Sequence, residues 1–138
     1  MKNVKLVIFI LFSTFLSFPS FGEWTKLGSM NSVNKKNAAI DFIDFERIRK
    51  SDNYIYFWIL NDLNKTEIIG DLKILSLTYY FHGDCKMFRY KSLSISAFTQ
   101  NMANGLSVDA PGHNKWKFPN PNTNFENWLN IACKHMGL

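Results

Sequence analysis

Tyr54-Ile55-Tyr56-Phe57-Trp58-Ile59-Leu60 is the stretch whose reading decides the fold. An unbroken run of aromatic and β-branched residues, entered from the turn-forming Ser51-Asp52-Asn53, predicts a strand. Alternation sends Tyr54, Tyr56 and Trp58 to one face and Ile55, Phe57 and Ile59 to the other. Both faces are apolar, so each needs a cover, or one stays open and adhesive. Asn61-Asp62-Leu63-Asn64-Lys65 predicts the end of this strand. Residues 72–81 predict a second strand, His82-Gly83-Asp84 a hairpin tip, and residues 85–98 a long return strand.

The upstream chain supplies shorter elements. Glu23-Trp24-Thr25-Lys26-Leu27 alternates as an opening strand would, residues 28–37 read as a loop, and Ala38-Ala39-Ile40-Asp41-Phe42 reads as another strand. Residues 44–49 predict a turn or a single helical turn. Beyond the return strand, residues 101–105 read as a loop and Leu106-Ser107-Val108 as a short edge strand. Pro111-Gly112 and Pro119-Asn120-Pro121 mark irregular chain around Trp116. The period then becomes helical: Phe125, Trp128, Leu129, Ala132 and Met136 form one apolar stripe. Thr123 and Glu126 fit a capping box, Lys134 and His135 favour the C-terminal dipole, and Gly137 stops the helix. The pattern is an antiparallel sheet of about six strands with a C-terminal helix on one face, an α+β domain.

The first residues carry an export pattern. Lys2 and Lys5 precede an uncharged run containing Leu6-Val7-Ile8-Phe9-Ile10-Leu11-Phe12, and Pro19 and Ser20-Phe21-Gly22 lead to expected cleavage before Glu23. The run, with its serines and proline, is marginal for crossing roughly 30 Å of hydrocarbon. The expected organisation is a signal peptide at 1–22 and one domain at 23–138, with no stable membrane insertion after cleavage. No cysteine adjoins the cleavage site, so no lipid is expected there, and the protein is expected to be periplasmic or secreted.

In that compartment Cys85 and Cys133 are expected to form one disulfide, tying the helix to the sheet. Such a bond closes a loop of about fifty residues and contributes about 4 kcal/mol on chain-entropy grounds. His82, Cys85, Cys133 and His135 also offer the donor inventory of a structural zinc site. Residues two apart on a helix point some 200° apart, so Cys133 and His135 converge poorly. The disulfide is the favoured reading, with no metal and no cofactor.

Without Lys2 and Lys5 the domain holds 14 basic and 11 acidic residues, a net charge of +3. The basic residues are scattered as Lys35-Lys36, Arg47-Arg49-Lys50, Lys86-Arg89-Lys91 and Lys115-Lys117. A solvated sheet face accounts for that scatter, and no nucleic-acid partner is expected.

Several features together resemble the bacterial surface-adhesin protein E family. They are Glu23-Trp24-Thr25-Lys26-Leu27, Ile40-Asp41, and Ile48-Arg49-Lys50 before Tyr54-Ile55-Tyr56-Phe57-Trp58. Asp84-Cys85 with Phe88-Arg89-Tyr90 follows, then Trp116 and a helix ending in Cys133. The resemblance runs from Trp24 to Cys133. It implies a sheet of about six strands whose terminal helix is tied down by Cys85–Cys133. It also implies adhesion to host matrix and serum proteins. This chain departs from the family in lacking the lipid-attachment cysteine. The favoured expectation is therefore a binding module of the envelope rather than a host adhesin.

No catalytic residue is expected. No serine lies in G-x-S-x-G, and His82, His113 and His135 read as surface or loop residues. Asp41, Asp44 and Glu46 are the densest carboxylates and read as a solvated turn, since no cation-binding loop with a central glycine surrounds them. Tyr54, Tyr56 and Trp58 remain as the candidate binding face, for an unidentified protein or cell-envelope partner or for a second copy of the chain. The competing expectation is that a loop or residues 119–121 fold over that face. A structural or homo-oligomeric envelope role is the alternative function.

Overall fold

The computed structural model describes residues 23–28 and 39–138. The expected signal peptide and most of the loop at 28–37 therefore lie outside the described residues. Seven strands form one antiparallel sheet: β1 (Thr25–Lys26), β2 (Ile40–Ile43), β3 (Arg49–Ser51), β4 (Tyr54–Ile69), β5 (Leu72–Asp84), β6 (Arg89–Gln100) and β7 (Asn104–Pro111). The order is β1-β2-β4-β5-β6-β7, and β3 pairs with β4 on the edge that β2 also uses. Among the described residues one α-helix, α1 (Asn124–His135), follows.

The deciding stretch is a strand, but it does not end at Asn61. β4 continues to Ile69 through a bulge between Asp62 and Glu67. The polar side chains there serve neighbouring elements. Asn61 Nδ2 donates to Asp41 Oδ1 at 2.6 Å, and Asp62 Oδ1 accepts from Met102 N–H at 2.7 Å and from Asn101 Nδ2 at 3.1 Å. The chain reverses instead at Gly70-Asp71, where Gly70 takes a φ of 61°.

His82-Gly83-Asp84 is the paired end of β5, and the turn follows it at residues 85–88. Gly83 serves packing. A Cβ there would lie 2.7 Å from Leu129 Cδ1 and 3.0 Å from Ile55 Cγ1, both on fully buried side chains. The bare backbone lets α1 seat directly on the sheet. Asp84 anchors the turn, accepting from Met87 N–H at 3.0 Å and from Arg89 Nε at 3.0 Å. Burial alone raises its pKa; the donors at Met87, Arg89 and Lys86 outweigh that and hold the group below the ordinary carboxylate value.

The core lies between α1 and the Ile55–Phe57–Ile59 face of β4. It gathers Ile43, Ile48, Phe81, Trp128, Leu129 and Ala132, with the Cys85–Cys133 disulfide at its edge. The helix begins as expected at Thr123, whose Oγ1 accepts from Glu126 N–H at 3.4 Å. Glu126 reaches past the cap and accepts from Asn122 N–H at 2.7 Å. Gly137, at φ 72°, closes the C-terminus, and Leu138 N–H returns to Cys133 C=O at 3.0 Å.

The carboxylates at 41–46 are not a solvated turn. Asp44 is fully buried; its Oδ1 accepts from the N–H groups of Glu46 and Arg47 at 3.1 Å each, and its Oδ2 pairs with Arg47 Nε. Asp41 lies under the helix. Only Glu46 faces solvent. With the sulfurs joined, no thiolate is left for zinc, and His82 and His135 occupy separate places. His135 lies 4.4 Å from the Phe45 ring, whereas His82 sits on the opposite face of the sheet from α1.

Candidate functional site: an aromatic ladder on the outer face

Alternation along β4 and β5 builds the candidate surface. Tyr56 pairs with His82 and Trp58 with Tyr80, so these side chains share the face that α1 does not cover. Their rings stack across the strands: Tyr56 on His82 at 4.3 Å and Trp58 on Tyr80 at 4.4 Å between centroids. Tyr54 extends the row toward His82 at 5.3 Å and is 39% exposed. The three aromatic residues singled out in the sequence therefore stand together as half of a longer ladder.

Trp116 joins from the irregular C-terminal chain, 4.9 Å from His82 and 6.2 Å from Tyr54. A segment does reach this face, but it is the one around Trp116, and it covers only the His82 end. Residues 115–117 run antiparallel beside the start of β6, with reciprocal bonds between Tyr90 and Lys117 at 2.8 and 2.9 Å. Alternation along that stub turns Trp116 to the ladder and Lys115 and Lys117 to the helix side.

Cations close both ends of the row. Arg47 lies over Trp24 at 5.4 Å and Trp58 at 5.5 Å, while Arg89 and Lys91 lie over Trp116 at 4.6 and 4.8 Å. These basic residues are thus held against rings rather than spread over a solvated face. Sequence reasoning left the choice between Tyr79 and Tyr80 open, and it missed His82, Arg47 and the pair Arg89 and Lys91 over Trp116. Tyr80 and His82 were legible once the reversal is placed at Gly70-Asp71, because alternation from Leu72 then puts both on the ladder face. Nothing local marks Trp116.

His82 sits in the middle of this row with its Nε2 buried and unpartnered. Burial first, and Lys91 second, lower its pKa, against a smaller opposing effect of Asp84. The imidazole is consequently neutral at neutral pH, which suits a ring stacked on Tyr56 and tilted against Trp116. Among the described residues no group of three or more His, Cys, Asp or Glu side chains is placed to hold a metal. The surface offers aromatic faces, hydroxyls and flanking cations, the equipment of a protein-binding surface.

The model of the surface-adhesin protein E family matches residues 24–134. The chain belongs to this family. Its fold is similar to a crystal structure of Haemophilus influenzae protein E, with a TM-score of 0.63 at 17% identity, covering 83% of this chain and 99% of that one. A second structure, of protein E from non-typeable Haemophilus influenzae, aligns at 19% identity and a TM-score of 0.57, covering 83% and 86%. No curated protein sequence matches the chain. At these identities the solved structures speak for the shared fold. Family membership rests on the match across nearly the whole domain. Among the described residues no helix is long and apolar enough to cross a membrane.

Proposed function

We propose that this member of the adhesin family is an exported, non-enzymatic binding module of the bacterial cell envelope, holding a protein partner on the Tyr54–Tyr56–Trp58 ladder. The observation that carries the reading is a row of stacked rings on the face that α1 leaves uncovered, with Arg47 at one end and Arg89 and Lys91 at the other. Tyrosine, tryptophan and arginine are the residues on which interface energy concentrates. The family's description as a surface adhesin supports a binding role, and the uncharged, largely apolar run that follows Lys2 and Lys5 supports export and a periplasmic or secreted location.

A photo-crosslinking residue at Tyr54, compared with one at Lys73, tests the surface in the native cell. Capture of one defined protein from position 54 and not from 73 is the expected result. Binding of that protein is expected to weaken by tenfold or more in Trp58→Ala, as for a hot-spot residue, while thermal unfolding shifts little. Equal capture from both positions, or a Trp58→Ala variant that simply fails to fold, would mean the ladder is core rather than interface.

A second reading, self-association, is favoured by β7. This edge strand is exposed along its whole length and presents Leu106 and Val108 to solvent, and an unpaired edge is a template for another strand. On that reading the purified domain sediments as a dimer at micromolar concentration, and Val108→Lys returns it to monomer. A wild-type monomer rejects it.

A further inference from the structure

On the helix side of the sheet, away from the ladder, lies a cleft of about 110 Å³ between β5, β6 and the first turn of α1. Its walls are the rings of Tyr79, Phe81, Tyr90 and Phe125. Burial raises the pKa of the Tyr79 and Tyr90 hydroxyls, first among the causes at Tyr79 and the sole cause at Tyr90, as expected for a dry lining. Ser92 also lines the cleft, and its Oγ is buried with no hydrogen-bond partner. Such a group is costly unless something completes it.

The rim carries charge. Lys115 and Lys117 border the cleft, and no carboxylate contributes to its lining. Among the described residues the ion pairs are Arg47–Asp44 and Arg89–Asp84, so neither rim lysine is neutralised. The segment bearing them is fixed in place. Gly112 N–H donates to Leu93 C=O at 2.9 Å and Asn114 N–H to Ser92 C=O at 3.0 Å, and Lys117 pairs with Tyr90 beyond. A Cβ at Gly112 would stand 2.1 Å from Ser92 O, so only glycine allows this approach.

We infer that the cleft is a binding site for a carboxylate carried on a small apolar or aromatic body. Cavities of roughly 150 Å³ lined by apolar side chains take up benzene, so a phenyl ring or short alkyl chain is near the upper limit for the interior. The carboxylate would then lie between Lys115 and Lys117 at the mouth, and Ser92 Oγ supplies an unused donor within the lining. Two sources share this chemistry: a free small acid, and the terminal carboxylate of a peptide ending in an apolar residue. The cleft is independent of the proposed role of the ladder, which lies on the other face.

Titration of the purified domain with 3-phenylpropionate, followed by amide chemical shifts, tests it. The expected result is saturable binding with shifts centred on Tyr90, Ser92, Lys115 and Lys117. 3-Phenylpropanamide, which lacks the charge, should bind about tenfold more weakly, as should the acid to Lys115→Gln/Lys117→Gln, given the usual strength of charge-assisted hydrogen bonds. Lys73→Gln, remote from the cleft, should bind as the parent does, and the unfolding temperature of the rim variant should be unchanged. A Gly-Gly-Phe peptide with a free carboxylate that competes, where its amide does not, identifies a chain terminus as the source; failure to compete leaves the free acid. Equal binding of acid and amide, or no saturation at millimolar acid, overturns the inference.

Discussion

Serine at both Cys85 and Cys133 is expected to lower the unfolding free energy by about 4 kcal/mol, read as a fall in the urea midpoint with a steeper slope, because the uncross-linked denatured chain exposes more surface. The two residues stand 48 positions apart, with Cα atoms separated by 5.8 Å. Their bond joins the turn between β5 and β6 to the end of α1. Without it, the unfolded chain regains the freedom of a long loop. The folded state loses the covalent link at the end of the helix, near Lys50, whose Nζ donates to Met136 C=O at 3.4 Å. A domain of this size commands roughly 5–15 kcal/mol in all, so the variant should sit close to the threshold of folding at physiological temperature. Reductant should reproduce the shift in the parent and leave the double variant untouched. A midpoint that does not move in either case would show that packing alone holds the helix.

How far this architecture was legible depends on what each residue was being used for. The Tyr54–Leu60 alternation, the helical stripe and the cysteine pair all report burial of apolar surface or a covalent link. Periodicity records burial directly, and the sheet and the helix followed from it, while the disulfide followed from the cysteine count read beside the export pattern. Polar and glycine residues misled wherever their partners lay far away in sequence. Asn61 and Asp62 read as strand terminators, yet they bond to Asp41 and to the turn at 101–103. Gly83 read as a hairpin tip, yet it makes room for Leu129. Asp41 and Asp44 read as solvated, yet each is buried with donors supplied by the fold.

The candidate site shows the same division. Tyr54, Tyr56 and Trp58 were visible because one strand carries them. The rings that complete the ladder come from β5 and from the chain around Trp116, and only the register of the sheet brings them alongside. That register also explains why a single segment serves both faces. Alternation past Gly112 sends Trp116 outward to His82 and the two neighbouring lysines inward to the cleft.

Trp128→Ala is expected to cost about 3–5 kcal/mol, the range for removing a large buried aromatic side chain. Trp128 is 5% exposed and packs against Tyr79, Phe81 and Phe125. The indole has a polar role as well, because its Nε1–H donates to Asp41 Oδ2 at 3.0 Å, across 87 positions of chain. Burial raises the Asp41 pKa, and the bonds from Asn61 and Trp128 only partly offset that rise. A carboxyl whose folded pKa exceeds its unfolded one contributes stability that is fully present below the unfolded value, and loses it as pH rises through the folded value. Asp84, held below its ordinary value, behaves oppositely and loses its contribution as pH falls. Trp128→Phe separates packing from hydrogen bonding, because the smaller ring keeps most of the contact and drops the donor. Asp41 is then left with one donor fewer, its pKa rises further, and the ionised form becomes harder to bury. The penalty of Trp128→Phe should therefore be greater at pH 7, by about 1–3 kcal/mol for an orphaned buried acceptor, and shrink toward pH 4 as Asp41 takes up its proton. Urea titrations of parent and variant at both pH values measure this difference directly. A penalty equal at pH 4 and pH 7 would mean that the indole contributes only its volume, and that Asp41 does not feel its loss.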